Sequence, residues 1–389
     1  MFSVFTTLRK MARGTVLAVT ALALSACDGF DIGMALDPNR PVAVALLVPG
    51  DSDQPGDAVL ARSLENAARL AIADLEGVNF DLRVYKTGTT ADTAAAAGLQ
   101  AANDGAKIIL GPVYADQANA VGKAVAGRGI NVLSFSNNTE IAGGNLFVLG
   151  NSFQNTADRV IGYAAARGKE RFYVVYDPTP AGDIGRRAAE AAVQKAGVTL
   201  AGTVSYSFSM QGAVAAVPEI KRGVETTGAD ALFFTSDSAG ALPLFGQLLP
   251  ETGVTPDKVQ YLGLTRWDIP PNTLSLPGLQ GGWFALSDPG LQLQFQNRYA
   301  SAYGGSEPHP IAGLAYDGIA AIGALIKSGR ADALSTAALT QPSGFVGVGG
   351  IFRLREDGTC ERGLAIAEIQ NNQVTIVDPA PRSFPGAGS

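Results

Sequence analysis

The sequence is poor in the residues on which metal sites, disulfides and many catalytic sites depend. Its 389 residues include two cysteines, Cys27 and Cys360, and one histidine, His309. Without a second histidine or a cysteine cluster, the sequence indicates neither a zinc site nor a Ser-His-Asp arrangement. His309 lies between two prolines and is predicted to be a turn residue. We therefore expect a protein that is not an enzyme and needs no metal and no cofactor.

Charge is also scarce, and a phosphate-binding glycine motif is lacking. Only 16% of the residues are charged, and the net charge is -6. No Gly-x-Gly-x-x-Gly run follows a strand and opens a helix, so nucleotide binding has no support. An acidic chain without a stripe of Lys and Arg argues against a nucleic-acid partner. The 47% hydrophobic content and the chain length instead favour two α/β units of ordinary size.

The N-terminal residues have the pattern of a targeting sequence. Basic residues at positions 9, 10 and 13 precede the apolar stretch TVLAVTALAL, which is too short to span a bilayer. The stretch ends in Leu24-Ser25-Ala26-Cys27, which resembles a bacterial lipobox. We predict a signal peptide over 1–26 and a tether from lipidated Cys27 to residue 40, with an ordinary signal peptide as the alternative. Cys360 then has no partner for an intramolecular disulfide and is interpreted as a strand residue.

A βαβ unit in residues 107–138 organises the rest of the chain. Two short apolar runs, Lys107 to Leu110 and Ile130 to Leu133, are separated by a Gly-Pro turn and an alanine-rich helix. Such a unit forms a parallel sheet with a right-handed crossover, and ligands bind at the carboxyl ends of its strands. These ends are Gly111 to Asp116 and Ser134 to Asn138. We therefore predict a binding cleft there.

The same alternation of buried strands and amphipathic helices occurs twice along the chain. It predicts an α/β fold with two lobes, each a parallel sheet flanked by helices, and a cleft between the lobes. We assign 41–154 and 282–335 to the first lobe, 155–281 and 336–378 to the second, and 379–389 to a disordered tail. Near the C-terminus, Ile351 to Arg355 is predicted to form a β-hairpin with Leu364 to Ile369.

Several segments together resemble a known family. VAVALLVPG, IILGPV, SFSNN, YVVYDPTPAG, LGLTRWD, GLQGGWFALSDP, LAYDGIAAIGAL and GGIFRLREDG occur in one order. Over about residues 41 to 378 this order resembles the type I periplasmic-binding fold of the leucine/isoleucine/valine-binding family. The tryptophan-bearing segments look most like the lipoproteins called penicillin-binding protein activators. The resemblance implies a periplasmic lipoprotein of a Gram-negative bacterium, anchored to the inner or outer membrane.

The resemblance also implies which residues of the first lobe bind ligand. Members that bind amino acids hold the α-carboxylate with a serine after the Gly-Pro turn and with donors after the fourth strand, an arrangement suited to an anion. The matching positions here are Tyr114, Ala115 and Asp116 in the first loop and Ser136, Asn137 and Asn138 in the second. Ala115 replaces the serine, and Asp116 would repel a carboxylate unless it turned away. Ser136 to Asn138 could alternatively cap the next helix.

The matching positions of the second lobe depart further from the family. The loop from Asp177 to Asp183, where an aromatic residue is expected, offers Pro180 and Ile184. Thr265 stands where an acid would pair with a ligand ammonium group, and Asp237 and Asp268 are the available substitutes. An unpaired desolvated ammonium would cost several kcal/mol. Trp267, and less so Trp283, could stack on a ligand or belong to the core.

Two functions follow from this interpretation. The first is a solute-binding lipoprotein that captures a small polar or amino-acid-like ligand and delivers it to the permease of an ABC importer. The alternative is a penicillin-binding protein activator that regulates a peptidoglycan synthase through protein contact. The fold and the donors at Ser136 to Asn138 favour the first, and the departures at Ala115, Ile184 and Thr265 favour the second.

Overall fold

The structure, a computed structural model, describes residues 40–52 and 54–384. The predicted signal peptide, the predicted lipidation site Cys27 and nearly all of the predicted tether lie outside these residues. Among the residues described, no helix combines the length and the apolar character needed to cross a bilayer.

The first lobe is built on a sheet of five parallel strands in the order β2-β1-β3-β4-β5. Its strands are β1 Val42–Val48, β2 Phe80–Lys86, β3 Ile108–Leu110, β4 Asn131–Ser134 and β5 Leu146–Val148. Its helices are α1 Asp57–Asp74, α2 Ala91–Asn103 and α3 Ala115–Val125. The central strands β1, β3 and β4 are almost wholly buried, as their continuous apolar runs predicted.

The second lobe is built on a seven-stranded sheet in the order β15-β14-β10-β9-β8-β6-β7. Its strands are β6 Arg171–Tyr176, β7 Thr199–Ser205, β8 Ala231–Phe234, β9 Gln260–Gly263, β10 Trp283–Leu286, β14 Ala365–Gln370 and β15 Gln373–Asp378. Its helices are α4 Phe153–Ala166, α5 Pro180–Ala196, α6 Met210–Thr227 and α7 Leu242–Glu251. Strands β6 to β10 are parallel, and β14 and β15 form an antiparallel edge.

After β10 the chain returns to the first lobe. It adds the helices α8 Pro289–Ala302, α9 Gly313–Lys327 and α10 Thr336–Leu339, and a three-stranded antiparallel sheet of β11 Phe345–Gly347, β12 Gly350–Leu354 and β13 Cys360–Arg362. Residues of α8, α9, β11, β12 and β13 share the first lobe's main core with β1 and α1. The long apolar helix α9 is largely buried, as predicted. The two-lobed α/β class is thus confirmed.

The strand pairing predicted for the C-terminal hairpin is wrong. The strand β12 pairs across the turn with Cys360–Arg362, not with Leu364 to Ile369. The turn is tight, since the Gly358 N–H bonds the Arg355 carbonyl and the Arg355 N–H bonds the Thr359 carbonyl, so the strand returns at once. The segment beyond, Ala365–Gln370, enters the second lobe's sheet beside β10.

The points at which the chain passes from one lobe to the other also differ from the predicted boundaries. Trp283–Leu286 was assigned to the first lobe but pairs with β9 and β14 in the second lobe's sheet. Residues 336–362 were assigned to the second lobe, but their buried apolar side chains pack in the first lobe's core. The predicted tail is packed at its beginning: Ala380 belongs to a second-lobe core cluster, and the Arg353 guanidinium stacks on the buried ring of Phe384.

Candidate functional site

A glycine with a left-handed backbone positions the first loop of the predicted cleft. Gly111 has φ of +84°, and a Cβ there would lie 2.2 Å from the Leu47 carbonyl oxygen, so the position requires glycine. Its N–H donates to the Leu133 carbonyl at 2.8 Å. The turn therefore holds the start of α3 beside the ends of β1 and β4.

The two loops predicted to form the cleft meet at one cavity of about 550 Å³ on the first lobe. Side chains from both loops, from α9 and from the strand ends line it, including Tyr114, Ala115, Ser136, Asn137, Asn138, Asp317 and Arg362. Asp116 is exposed and does not line this cavity. The geometry thus brings together five of the six residues named for this lobe. Whether they bind ligand stays a prediction.

Most polar groups of this first wall already bond to their own chain. The Ser134 hydroxyl donates to the Pro112 carbonyl at 3.0 Å and accepts the Ser136 N–H at 3.1 Å. The Ser136 hydroxyl accepts the Asn138 N–H at 3.1 Å, and Asn138 Oδ1 accepts the Glu140 N–H at 2.9 Å. Asn138 thereby caps a short 3₁₀ helix, Thr139–Ile141, so the capping alternative is confirmed for Asn138.

Tyr114 and the start of α3 form the other side of this wall. The Tyr114 hydroxyl donates to Asp57 Oδ1 at 2.5 Å, and this hydrogen bond, together with burial, raises the pKa of Tyr114 to about 12. No side chain caps the N-terminus of α3. Its first backbone N–H groups, beginning at Ala115, lack intrahelical partners and are available to a ligand or to water.

A buried ion pair contributes to the lining of the first cavity. Arg362 Nη1 of β13 contacts Asp317 Oδ2 of α9 at 2.8 Å, with the side chains 9% and 1% exposed. Asp317 Oδ1 accepts the Val348 N–H at 2.8 Å, and Arg362 Nε donates to the Leu149 carbonyl at 2.9 Å. The remaining nitrogen, Arg362 Nη2, is buried without a partner. No sequence signal pointed to this pair.

The second wall is a cavity of about 310 Å³ in the second lobe. It lies at the carboxyl ends of β6, β8 and β9, where ligands bind in parallel sheets. Asp177, Thr179, Tyr206, Phe208, Thr235, Ser236, Asp237 and Thr265 contribute to its lining. The structure thus places two of the three residues predicted in this lobe, Asp177 and Thr265, at one cavity.

Four hydroxyl groups of this second wall are buried without a hydrogen-bond partner. They belong to Tyr206, Thr235, Ser236 and Thr265. Each unpaired buried hydroxyl costs about 1–3 kcal/mol. Burial, and then the charge of Asp177, raise the pKa of Tyr206, so its hydroxyl stays protonated and can donate. The hydroxyls of this wall therefore keep unused capacity to donate and accept hydrogen bonds.

The acids of the second wall make it an acceptor-rich surface. Asp177 is 6% exposed, and its Oδ1 accepts both the N–H and the hydroxyl of Thr179. Asp237 is exposed, and its Oδ1 accepts the Ala239 N–H at 3.1 Å. No Lys or Arg is among the residues lining this cavity. Asp268, the other suggested substitute, is paired with Arg266 at 3.0 Å.

A third cavity of about 550 Å³ joins the two walls. It shares Asn137 and Asn138 with the first wall and Phe153 and Ala181 with the second, and Ile184 also lines it. The three cavities therefore form one continuous cleft between the lobes. An ion pair crosses this cleft, since Arg187 Nη2 of α5 lies 3.4 Å from Glu140 Oε1 of the first lobe.

Neither tryptophan lines the cleft, so the stacking role suggested for Trp267 is wrong. The Trp267 ring is fully buried between Phe234 and Phe284 in the second lobe's core. Glycines at 263 and 282 leave room for it, since a Cβ at either would lie 2.3 Å from its ring. Trp283 is half-buried, and its Nε1 donates to Glu368 Oε2 at 2.9 Å.

His309 holds a loop before α9. Its N–H donates to the Ser63 hydroxyl at 2.7 Å, and its Nδ1 accepts the Ile311 N–H at 3.4 Å. Burial lowers the pKa of His309. Within 40–52 and 54–384, no three His, Cys, Asp or Glu side chains are grouped so that they could hold a metal ion.

Tyr206, Thr235 and Ser236 were missed as site residues, although a signal was present. The polar run Thr235-Ser236-Asp237-Ser238 follows directly after the buried strand Ala231–Phe234. In the first lobe, the mostly polar run Ser134 to Asn138 begins at the last residue of β4 in the same way. The rule that selected the first run would also have selected the second. Arg362 carried no such signal, because its position depends on how distant segments pack.

Comparisons with known proteins place the chain in a family. A comparison with curated protein sequences finds no match. Solved structures include a branched-chain amino acid ABC transporter periplasmic ligand-binding protein from Burkholderia xenovorans LB400, with a TM-score of 0.69, 17% identity, and coverage of 88% of this chain and 96% of that one. A solute-binding protein of an ABC transporter from Rhodopseudomonas palustris BisB5, in complex with 3,4-dihydroxybenzoic acid, has a TM-score of 0.58, 15% identity, and coverage of 88% and 97%.

A leucine-binding protein from Thermotoga maritima MSB8 has a TM-score of 0.56 and 17% identity, with coverage of 87% of this chain and 98% of that one. At these identities the likeness shows the fold alone. The model of the periplasmic binding protein family matches residues 41–373. The chain therefore belongs to the periplasmic binding protein family.

Proposed function

We propose that the protein is a non-enzymatic periplasmic lipoprotein that captures a small polar ligand in the interlobe cleft and delivers it to an ABC-type importer. Family membership over residues 41–373 supports this function. So do the structural relatives that are ligand-binding or solute-binding proteins of ABC transporters. The permease is the partner that such a role requires.

The observation that carries the proposal is the set of four unpartnered hydroxyls on the second wall. In natural structures, nearly all buried polar side-chain atoms find a partner. Four orphaned hydroxyls in one cavity at the carboxyl edge of a parallel sheet are the groups that a bound solute would satisfy. Water would fill the same positions while the cleft is empty.

The ligand contacts that we propose come from both walls. On the first wall they are the backbone at Ala115 and the exposed side chain of Asn137, with Tyr114, Ser136 and Asn138 shaping the cavity. On the second wall they are Asp177 and Thr265, together with the newly found hydroxyls. Because these groups differ from the usual amino-acid partners, the proposal does not require an α-amino acid as the ligand.

The alternative, a lipoprotein that activates a peptidoglycan synthase, places less demand on the cleft. A protein that acted only through its outer surface would gain nothing from burying four unpaired hydroxyls at a cost of about 1–3 kcal/mol each. We therefore place solute binding first.

A thermal-shift screen of the purified protein tests solute binding. Amino acids, short peptides, muropeptides, organic acids and sugars would be added singly. A ligand at about one hundred times its dissociation constant should raise the free energy of unfolding by roughly 2.7 kcal/mol, a shift of several degrees. The shift should shrink in Thr235→Val and persist in Ser301→Ala, which removes an exposed hydroxyl on α8 bonded to Asn297. A flat response to every compound would contradict the proposal.

The lipid anchor requires its own experiment, because Cys27 lies outside the described residues. Cells that produce the protein would be labelled with a fatty-acid analogue, and the label should appear on the wild type and vanish in Cys27→Ser. Cys360→Ser is the matched control, since that thiol is buried. Label retained by Cys27→Ser would contradict lipidation at this position.

A further inference from the structure

We infer that the solute is a polyhydroxylated carboxylic acid of the sugar-acid type, without an ammonium group. Its hydroxyls would face the second wall, and its carboxylate would face Arg362 and the start of α3. This inference rests on the proposed function and names the ligand class that the cleft would take.

The second wall selects for several hydroxyls on the ligand. Tyr206, Ser236 and Thr235 are 4%, 3% and 8% exposed, and each hydroxyl can both donate and accept a hydrogen bond. An ammonium group only donates, so it would leave the donor capacity of these hydroxyls unused. A polyol chain or sugar ring offers several groups that also donate and accept, and it can satisfy all four hydroxyls of the cavity together.

The acids of this wall fix the direction of the ligand. Asp177 and Asp237 only accept hydrogen bonds, so they favour ligand O–H donors and repel a carboxylate. The bonds from Thr179 use only Oδ1 of the buried Asp177, so Oδ2 is left to accept from a ligand O–H. Asp237 is exposed and accepts the Ala239 N–H. The negatively charged end of the ligand must therefore lie at the opposite wall.

The first wall offers a place for that end. Arg362 Nη2 is a buried guanidinium donor without a partner, on a side chain that lines the first cavity. Asp317 occupies only Nη1 of the same group, so a directional N–H remains. The uncapped N-terminus of α3, also at this cavity, adds backbone N–H groups. A carboxylate would accept charge-assisted hydrogen bonds from both.

Aromatic side chains complete the fit to a sugar-like body. Phe153 and Phe208 line the second cavity beside the hydroxyls, and Phe208 is 70% exposed. A flat apolar ring at the edge of a polar cavity can pack on the C–H face of a sugar ring while the hydroxyls bond its polar edge. A small amino acid would leave these rings uncovered.

Calorimetric titration of the purified protein tests the inference with defined probes. The probes are gluconate and glucuronate, with sorbitol and glucose as their uncharged counterparts. Leucine, serine and 3,4-dihydroxybenzoate form the competing classes. We expect a sugar acid to bind, and its uncharged counterpart to bind roughly 12- to 150-fold more weakly, since a hydrogen bond to a charged group contributes about 1.5–3 kcal/mol. Comparing ligands tests the carboxylate contact without altering the buried Arg362.

Single hydroxyl deletions test the second wall. Tyr206→Phe, Ser236→Ala and Thr265→Val should each weaken sugar-acid binding roughly 2- to 12-fold, as expected from about 0.5–1.5 kcal/mol per hydrogen bond. The melting temperature of the ligand-free protein should not fall. Ser301→Ala should leave the affinity unchanged.

The outcomes separate this inference from the proposed function. Binding of an amino acid or of dihydroxybenzoate in preference to every sugar acid would overturn the ligand class and still support solute binding. Sugar-acid binding that survives all three deletions would overturn the assignment of the hydroxyls. If none of the probes releases or absorbs heat on titration, the ligand class is overturned. If the broad thermal-shift screen also shows no shift, the proposed function is overturned too.

Discussion

The two walls of the cleft use similar polar residues in opposite ways. On the first wall, the side chains of Ser134, Ser136 and Asn138 are bonded to their own backbone and shape a turn. On the second wall, the hydroxyls of Thr235 and Ser236 lie at the same edge of a parallel sheet and have no partner. A polar run after a buried strand therefore marks a position in the fold, and only its internal bonding shows whether it is free to bind ligand.

The difference follows from what each run connects. After β4 the chain enters a short 3₁₀ helix, Thr139–Ile141, whose first N–H groups need caps. After β8 the next helix begins only at Leu242, and Asp237 alone bonds the intervening turn, at the Ala239 N–H. The hydroxyls of Thr235 and Ser236 are thus not used to hydrogen-bond backbone groups of the turn.

The largest expected effect on stability comes from breaking the buried ion pair of the first lobe. Arg362→Met would leave Asp317 buried at 1% exposure without its cation, and we expect a loss of about 3–5 kcal/mol in the free energy of unfolding. The double variant Asp317→Leu with Arg362→Met should recover most of it, because it removes both charges. Urea denaturation of the three proteins measures this. A single variant that loses less than about 1 kcal/mol would show that the pair is not desolvated as described.

Removing the buried ring of Trp267 from the core of the second lobe should lower the free energy of unfolding by a similar amount. Trp267→Ala would empty a fully buried position between Phe234 and Phe284 and should cost about 3–5 kcal/mol. Trp283→Ala is the matched control and should cost less, because that ring is half-buried. Chemical denaturation gives both values. Equal losses would contradict the different burial of the two rings.

Opposite signs of stability change are expected for polar deletions on the two walls. Asn138→Ala removes a helix cap and should lower the free energy of unfolding by about 0.5–2 kcal/mol. Thr235→Val replaces an unpaired hydroxyl with a methyl group and should leave this energy unchanged or raise it. Thermal melts without ligand decide the matter, and a destabilised Thr235→Val would break the comparison between the walls.

The ion pair across the cleft should matter least to stability. Arg187 and Glu140 are 53% and 65% exposed, so Glu140→Gln should cost less than about 1 kcal/mol. The effect should disappear as salt is added, because exposed charges are screened. A Gln substitution at exposed Glu251 provides the control. A large, salt-independent loss would mean that the pair is a structural lock between the lobes.

A small pH effect is expected at His309, which lies outside the cleft. Burial lowers its pKa, so the unfolded chain binds a proton more readily than the folded one. The stability linked to neutral His309 is therefore complete above the unfolded pKa of about 6.5 and is lost as pH falls through the folded value. Melting temperatures of the wild type and His309→Gln should diverge only on the acid side. Parallel curves down to pH 5 would contradict this linkage.

The fold was predictable because its signals are local and repeated. The continuous apolar run Val42–Val48 and the Gly-Pro turn after Ile108–Leu110 each indicate a buried parallel strand with its turn. The position of the cleft followed from the rule for parallel sheets. The C-terminal strands were misplaced because pairing between distant segments, such as Ala365–Gln370 with β10, leaves no local mark.

The site was predictable only in part, for a related reason. Asp177 and Thr265 were predicted because they stand at positions where the family resemblance implies ligand contacts, and both line the second cavity. The sequence could not show that Trp267 turns inward, since this depends on the space left by Gly263 and Gly282. Nor could it show that Arg362, 45 positions from its partner, pairs with Asp317.

The central claim is that the second wall, more than the first, supplies the free groups that bind the solute. The most direct test measures ligand-induced stabilisation in two variants side by side: Tyr206→Phe with Thr235→Val on the second wall, and Ser136→Ala with Asn138→Ala on the first. We predict that the second-wall variant keeps its ligand-free melting temperature and loses most of the shift. The first-wall variant should melt earlier without ligand and keep the greater part of its shift. The reverse pattern would contradict the account.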